Sequence, residues 1–348
     1  MEISLVPEWN YKSEEFAELF ANASATAFQH PLWLDAMHRL LATPLGAKSQ
    51  AITIRETVSN ELIAVLPLMR IKRRGVSLLE FADLGVTDYC APVVRNGRSG
   101  VLHDCDDLPS RISKIVGPHD IFRAKSVRPE HVKSVECIIG AAPAPAGFSA
   151  HEASLETPYA DWRLRAFGKS QTRYIDRRLR RFERLGDTNI ECLDAAADIR
   201  RAIGELRIFR TGRFDADPIQ QDCVHEFYAE VAVRGAASGF ARTYRLSHDG
   251  VTVGIVFGTA HKGRFNYLLI GCDYDNYAKH SPGLLMYDMI MSDWVSDGGN
   301  IFDFTIGDEA FKADFGTKPV QMSSFQRAAS LTGKVAGSIH AVTRRLAG

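Results

Sequence analysis

The spacing of apolar side chains changes period along the chain and so marks its elements. In PLWLDAMHRLL (31 to 41) apolar positions recur three and four apart, which predicts an amphipathic helix. SQAITIR, ELIAVLPLMRIKR and VSLLEFADL then read as three strands of an antiparallel meander, with Asn60 and Gly75 at the two bends. After the Asp88-Tyr89 step, residues 95 to 110 are polar and read as a loop without a cofactor signature.

A second series opens with a very basic helix (169 to 185), the short strand NIECL and two helices around Ile203 and Phe227. The strands GFARTYRLS, VTVGIVFGTA and RFNYLLIGCD follow, with tight turns at His248-Asp249-Gly250 and Lys262-Gly263. A loop to His280, the helix PGLLMYDMIMSDWVSD and the strand NIFDF complete it. Between the two series, AAPAPAGFSAHEAS (141 to 154) has the Ala/Pro/Gly composition of a connector. The expected domains are therefore residues 1–150 and 151–335, with 336–348 as a C-terminal tail.

Composition changes this picture little. A length of 348 residues suits two domains with separate cores, and 45% hydrophobic with 24% charged residues is an ordinary globular balance. Basic and acidic residues cancel to zero net charge, so no global field draws the protein to nucleic acid or acidic membranes, and any anion affinity must be local. The six cysteines show neither a C-x-x-C pair nor zinc-type Cys/His spacing, so reduced thiols and no metal site are expected. No apolar run approaches the roughly 18 residues that span a bilayer, and the first residues lack a signal-peptide pattern. A cytoplasmic protein is expected.

Local chemistry concentrates around Ser281-Pro282-Gly283. Serine offers an N-cap oxygen, proline fits the first helical position, and glycine lets a ligand approach the backbone. An apolar strand before this helix and NIFDF after it make a βαβ crossover, whose free helix-start N–H groups form an anion site. Capping alone would explain the same three residues.

His280-Ser281-Pro282-Gly283-Leu284-Leu285, together with Asp303-Phe304-Thr305-Ile306-Gly307-Asp308-Glu309-Ala310-Phe311-Lys312, resembles the GNAT-type acyltransferase domain of a bacterial family named for cellulose biosynthesis. Weaker similarity covers Phe28 to Trp33, Leu66-Pro67-Leu68, Asp88-Tyr89 and the arginine-rich helix. The resemblance extends over most of residues 28 to 329. It implies an α/β (α+β) fold of two tandem GNAT-like domains, each a mixed, mostly antiparallel sheet flanked by helices.

It further implies acetyl-CoA or another acyl-CoA as co-substrate and an amine or hydroxyl acceptor, attacked directly within a ternary complex. The amides of Ser281, Gly283 and Leu284, with His280, would hold the pyrophosphate. A backbone N–H near Gly271, Cys272 and Asp273, where two parallel strands splay, would polarise the thioester. Asp303, Asp308 and Glu309 are the nearest carboxylates for proton transfer, and Lys312 could pair with one of them or meet an anionic acceptor. For each, a structural role is an equal alternative, and a lysine on a short amphipathic helix is more often solvated. Many relatives carry Tyr where this chain has Phe311, which cannot donate a proton.

Between Lys169 and Arg184 seven basic residues face two acidic ones, and positions 169, 173, 177, 180 and 184 form one helical stripe. Such a stripe suits a phosphorylated or acidic-sugar acceptor, a lipid headgroup or RNA, or else a solvated surface. Tyr174 and Phe182 fit an apolar edge packing on the domain better than base stacking. The leading expectation is an N- or O-acyltransferase acting on a small-molecule or glycan-type acceptor in polysaccharide or envelope metabolism, with no nucleic-acid partner. Two alternatives stay open. One is a Fem-type aminoacyl transferase using tRNA, and the other a degenerate GNAT fold serving as a partner in a synthase complex.

Overall fold

The meander expected from SQAITIR to VSLLEFADL (49 to 84) forms because its strands are almost continuously apolar and become buried, as in ITI and LIAVLPLM. The computed structural model of the protein describes residues 1–337. Its first elements are β1 (Glu2–Val6), α1 (Glu14–Ala21), β2 (Ala23–Ser24), α2 (Pro31–Leu40), β3 (Ala47–Arg55), β4 (Leu62–Arg73) and β5 (Val76–Phe81). There follow β6 (Val93–Arg95), α3 (Gly100–His103), α4 (Leu108–Val116), β7 (Ile121–Val127), α5 (Val132–Ile139) and β8 (Ala144–Ser154). Next come α6 (Tyr159–Glu183), β9 (Thr188–Cys192), α7 (Ala196–Arg210), α8 (Asp222–Ala236), β10 (Ala241–His248) and β11 (Val251–His261). The last are β12 (Arg264–Cys272), α9 (Tyr274–Tyr277), α10 (Pro282–Ser296), β13 (Ile301–Ile306) and β14 (Lys318–Ala328).

Two compact units result: residues 1–148 with the chain from Gln321 onward, and residues 149–320. In the first, strands run in the order β1-β3-β4-β5-β7-β14. All neighbours are antiparallel except β5 and β7, which pair at Leu78↔Ile121, Leu79↔Phe122 and Glu80↔Arg123. Its core joins Ile52, Leu66, Leu79 and Phe122 to the helix residues Ile112, Val135 and Ile138.

Several expectations need correction here. Residues 95 to 110 are not one loop, since α3 and the start of α4 lie within them. Leu108, Ile112 and Val116 recur four apart and are buried, a helical stripe hidden by the acidic residues before it. The proposed connector is instead mainly β8. Pro143 precedes it and Pro145 sits at its exposed start, where a missing N–H is tolerated, while Ala146, Ala150 and Ala153 are buried. The second unit ends at Val320 rather than at 335, because β14 from residue 321 belongs to the first unit. The tail expected at 336–348 lies outside the described residues from 338 on.

The second unit orders its strands β9-β10-β11-β12-β13-β8. Only β12 and β13 are parallel, pairing at Arg264↔Ile301, Phe265↔Phe302 and Asn266↔Asp303 and at no later residue. Past that point the two strands part. α10 is the crossover between them. A Cβ on Gly254 would meet Met286 of α10 and Cys272, whereas one on Gly271 would meet Leu206 and Phe209 of α7. Alternation along β12 therefore places α10 on one face and α7 on the other. The basic segment expected from residue 169 starts one residue after Gly168, whose φ of 74° interrupts α6. Among the described residues no helix is long and apolar enough to cross a membrane.

Candidate functional site

At the start of α10 the expected capping is absent. Ser281 adopts φ 56° and ψ 54°, and its hydroxyl makes no cap bond. Its N–H donates to the Ala278 carbonyl at 3.1 Å, and its own carbonyl accepts from Leu284 at 3.0 Å and Leu285 at 3.3 Å. Of the three amides expected to be open, those of Ser281 and Leu284 are thus engaged. Of these three, only the Gly283 N–H makes no hydrogen bond to the protein. A Cβ on Gly283 would stand 2.9 Å from the Tyr274 hydroxyl and 3.3 Å from Ile270 Cδ1, so this phenol borders the seat.

Cationic side chains gather at the same turn. Arg178 donates to the Lys279 carbonyl and, at 2.8 Å, to the Tyr174 hydroxyl, with its guanidinium 5.0 Å over the Tyr174 ring. His280 is buried, tilted against Phe182 at 5.1 Å, and its Nδ1 has no partner. Burial first, then the charges of Lys279, Arg181 and Arg178, hold its imidazole below the usual histidine range. Arg178 and Arg181 come from the row beside the stripe at 169, 173, 177, 180 and 184, whose five residues are exposed. Phe182 is fully buried, as an apolar edge requires. Sequence reasoning kept the basic helix and the α10 start apart, and the fold joins them.

The backbone of β12 explains which amides face the gap. Asp273 N–H donates to the Val253 carbonyl at 2.9 Å, and Ile255 lies opposite Gly271. In an antiparallel ladder alternate residues point to opposite sides, so the amides of Gly271 and Asp273 face β11. Those of Ile270 and Cys272 face the gap. Arg210 confirms the direction, since its Nη1 donates to the Ile270 carbonyl at 2.9 Å. It also grips the buried Asp217 through two bonds of 2.7 and 3.1 Å, which fixes the segment after α7. The Cys272 thiol is pushed up to about 12 by burial and is an unreactive wall group.

None of the nominated carboxylates stands free. Asp303 is fully buried and accepts from Arg264 Nη1 and the Thr305 N–H, each at 2.8 Å. It ties the last paired residue of β13 to the first residue of β12. Asp308 accepts from His151 Nε2 at 2.9 Å and from the Ser149 N–H, and the His151 bond holds its carboxyl below the usual range. Glu309 pairs with Lys312 at 2.9 Å. Lys312 is not solvated: it is 2% exposed, and its Nζ donates to the carbonyls of Ile306 at 2.9 Å and Gly307 at 2.8 Å. It pins the turn where β13 ends.

Two residues that sequence reasoning missed lie at the gap. Tyr287 of α10 donates to the Tyr267 hydroxyl of β12 at 3.0 Å. Burial, and then the partner phenol, raises Tyr287 well above the ordinary tyrosine value, and burial raises Tyr267. Both therefore remain protonated donors at neutral pH. The Phe311 ring stacks on Tyr287 at 5.5 Å and 6°, so the hydroxyl that Phe311 lacks stands on the ring beside it. No sequence spacing links 267 to 287; only the crossover brings them together.

Two parallel strands that pair at their beginnings and part at their ends, bridged by a crossover helix in an otherwise antiparallel sheet, define the GNAT-type acyltransferase fold. Residues 169–313 match the family model of an acetyltransferase (GNAT) domain. Over nearly the whole chain the fold is similar to a solved structure of FemX, with 12% identity, a TM-score of 0.66 and coverage of 94% of this chain and 97% of that one. It is also similar to the C-terminal domain of a putative lysylphosphatidylglycerol synthetase from Agrobacterium fabrum (13% identity, TM-score 0.56, covering 94% and 96%). L-PGS from Bacillus licheniformis gives 12% identity and a TM-score of 0.56, covering 95% and 96%. At these identities the likeness is one of fold. No curated protein matches the sequence.

Proposed function

We propose that the protein is an acyl-CoA-dependent N- or O-acyltransferase whose reaction takes place where β12 and β13 part. The observation that carries this reading is the gap itself, which opens after Asn266 and Asp303 and holds inward-facing amides and a tyrosine pair. In it the N–H of Ile270 or Cys272 would polarise the thioester carbonyl. The acceptor nitrogen or oxygen attacks that carbon, the C–S bond breaks, and the departing thiolate takes a proton from the Tyr267–Tyr287 pair. Because Asp303, Asp308 and Glu309 are all engaged, the acceptor's proton passes to solvent. The phosphates of CoA would rest on the Gly283 N–H with Arg178, Arg181 and Lys279 around it. Support for an anionic donor thus comes more from side chains than from helix amides. A glycan-type or other small acceptor in polysaccharide or envelope metabolism follows from the narrower family resemblance.

A second reading, aminoacyl transfer from tRNA, is favoured by the exposed arginine stripe of α6 together with the likeness in fold to FemX. Calorimetric titration with CoA, acetyl-CoA and tRNA separates the two. CoA binding that falls at least about tenfold in Gly283→Val supports the first reading. Binding of tRNA alone shifts the conclusion to the second, and binding of neither overturns both.

A further inference from the structure

Acyl transfer draws on Arg178 and Arg181 of α6 and leaves the row of cations beside them without a task. At about 3.6 residues per turn, Lys169, Arg173, Arg177, Arg180 and Arg184 fall within about a quarter of the helix circumference, along about 22 Å of its length. All five are exposed. Among the described residues none of them is in an ion pair, whereas Arg163 of the same helix holds Asp176 and Asp288, and Arg165 holds Glu156. Exposed arginines elsewhere also find carboxylates, as Arg200 does with Glu226 and Arg234 with Glu230. Like charges three and four apart on a helix destabilise it, so a row kept free of acids is stabilised by an anion from outside.

The surroundings indicate what that anion is. Because the chain as a whole is neutral, everything outside the row sums to a net negative charge. An anionic plane therefore attracts the row, repels the remainder and so fixes the orientation of the protein. Glu183, Asp187 and Asp249 gather where the row ends, with Asp249 accepting from the Asp187 N–H at 2.8 Å. Two exposed aliphatic side chains stand at that same end. Leu185, 58% exposed, directly follows Arg184, and Val251, 56% exposed, belongs to the hairpin whose Asp249 would collide with a Cβ on Gly186. There the acids offset Arg184, and contact passes from charge to apolar surface. A basic helix face with aliphatic side chains at its tip suits the headgroup and acyl boundary of a bilayer, whereas a sugar-phosphate backbone offers those side chains nothing. Nor is an aromatic face open for bases to stack on: the Tyr174 ring lies under Arg178 at 5.0 Å and Arg177 at 5.8 Å, and Phe182 is fully buried.

We propose that this face of α6 docks the protein on an anionic lipid surface, with the cation row on the headgroups and Leu185 and Val251 at the acyl boundary. The full chain, without any acyl donor, is sedimented with vesicles of equal parts phosphatidylcholine and phosphatidylserine, and with vesicles of phosphatidylcholine alone. Binding to the first only is expected, and it should weaken steeply with added salt. Replacing Arg173, Arg177, Arg180 and Arg184 together by Gln should lower the partition coefficient at least about a hundredfold. The melting temperature of that variant should stay level or rise, because none of the four has an ion partner to lose. Leu185→Ser should weaken vesicle binding severalfold and leave any binding of tRNA unchanged. The proposal is overturned if the mixed vesicles are not bound, if the four-arginine variant binds them like wild type, or if tRNA binds through these arginines and Leu185→Ser leaves vesicle binding unaltered. That last result assigns the row to RNA. None of these readouts involves the acyl donor, so the docking surface and the acyl-transfer reading stand or fall separately.

Discussion

Lys312 provides the sharpest test of whether the end of β13 is machinery or scaffold. Replacing it by Met keeps most of the buried stem and removes the ammonium group. The Ile306 and Gly307 carbonyls, bonded at 2.9 and 2.8 Å, then lose their donor in a site where the residue is only 2% exposed. Each buried carbonyl left unpaired costs about 1–3 kcal/mol. Relief of the lysine's own desolvation offsets part of this, and the half-exposed Glu309 turns to water at little cost. The net expectation is a loss of about 3 kcal/mol, or a melting temperature lower by about 10 °C for a unit of this size. Scanning calorimetry of Lys312→Met beside Glu309→Gln measures it, with the glutamine variant expected within about 1 kcal/mol of wild type. If Lys312→Met melts with Glu309→Gln yet loses activity, the carbonyl-pinning account is wrong and Lys312 belongs to the chemistry.

Two further outcomes follow from buried groups. Tyr287→Phe preserves the stack on Phe311 and should lower turnover about a hundredfold with KM little changed, followed as free thiol released from acetyl-CoA; wild-type turnover would remove the tyrosine pair from the mechanism. His38 takes up a proton in the unfolded chain near its usual value of 6.5 but in the folded unit only near about 3. Stability is thus intact above about pH 6.5 and falls as pH drops below it, by up to about 1.4 kcal/mol per pH unit. Urea midpoints of wild type and His38→Gln between about pH 7 and pH 5 should diverge, with the glutamine variant flatter; parallel curves would show that His38 is not the group responsible.

The meanders, α2, α7, α8 and α10 were legible because their burial follows one period over many residues, and turns such as Asp249-Gly250 and Lys262-Gly263 carry their own positive-φ signature. β8 was not legible: its alanines bury small surfaces, and Pro143 and Pro145 at its approach imitate a linker until pairing with β13 is seen. α4 was hidden behind Asp104, Asp106 and Asp107. At the candidate site the motif located the turn at Ser281, but its hydrogen bonding depends on a left-handed serine that no residue pattern announces. Carboxylates close in sequence were natural candidates for proton transfer, yet Asp303 and Asp308 proved to have the tertiary partners Arg264 and His151, and Glu309 the nearby Lys312. The tyrosines left with hydroxyls at the gap come from different elements, and only the crossover pairs them.

The return of β14 to the first unit gives the two halves unequal histories during synthesis. The stretch 149–320 is complete once Val320 has been made, whereas the opening half must wait for β14, which is made only after that whole stretch. The earlier segment in sequence is therefore the later one to close, and until then β7 offers an unpaired edge to any neighbouring nascent chain.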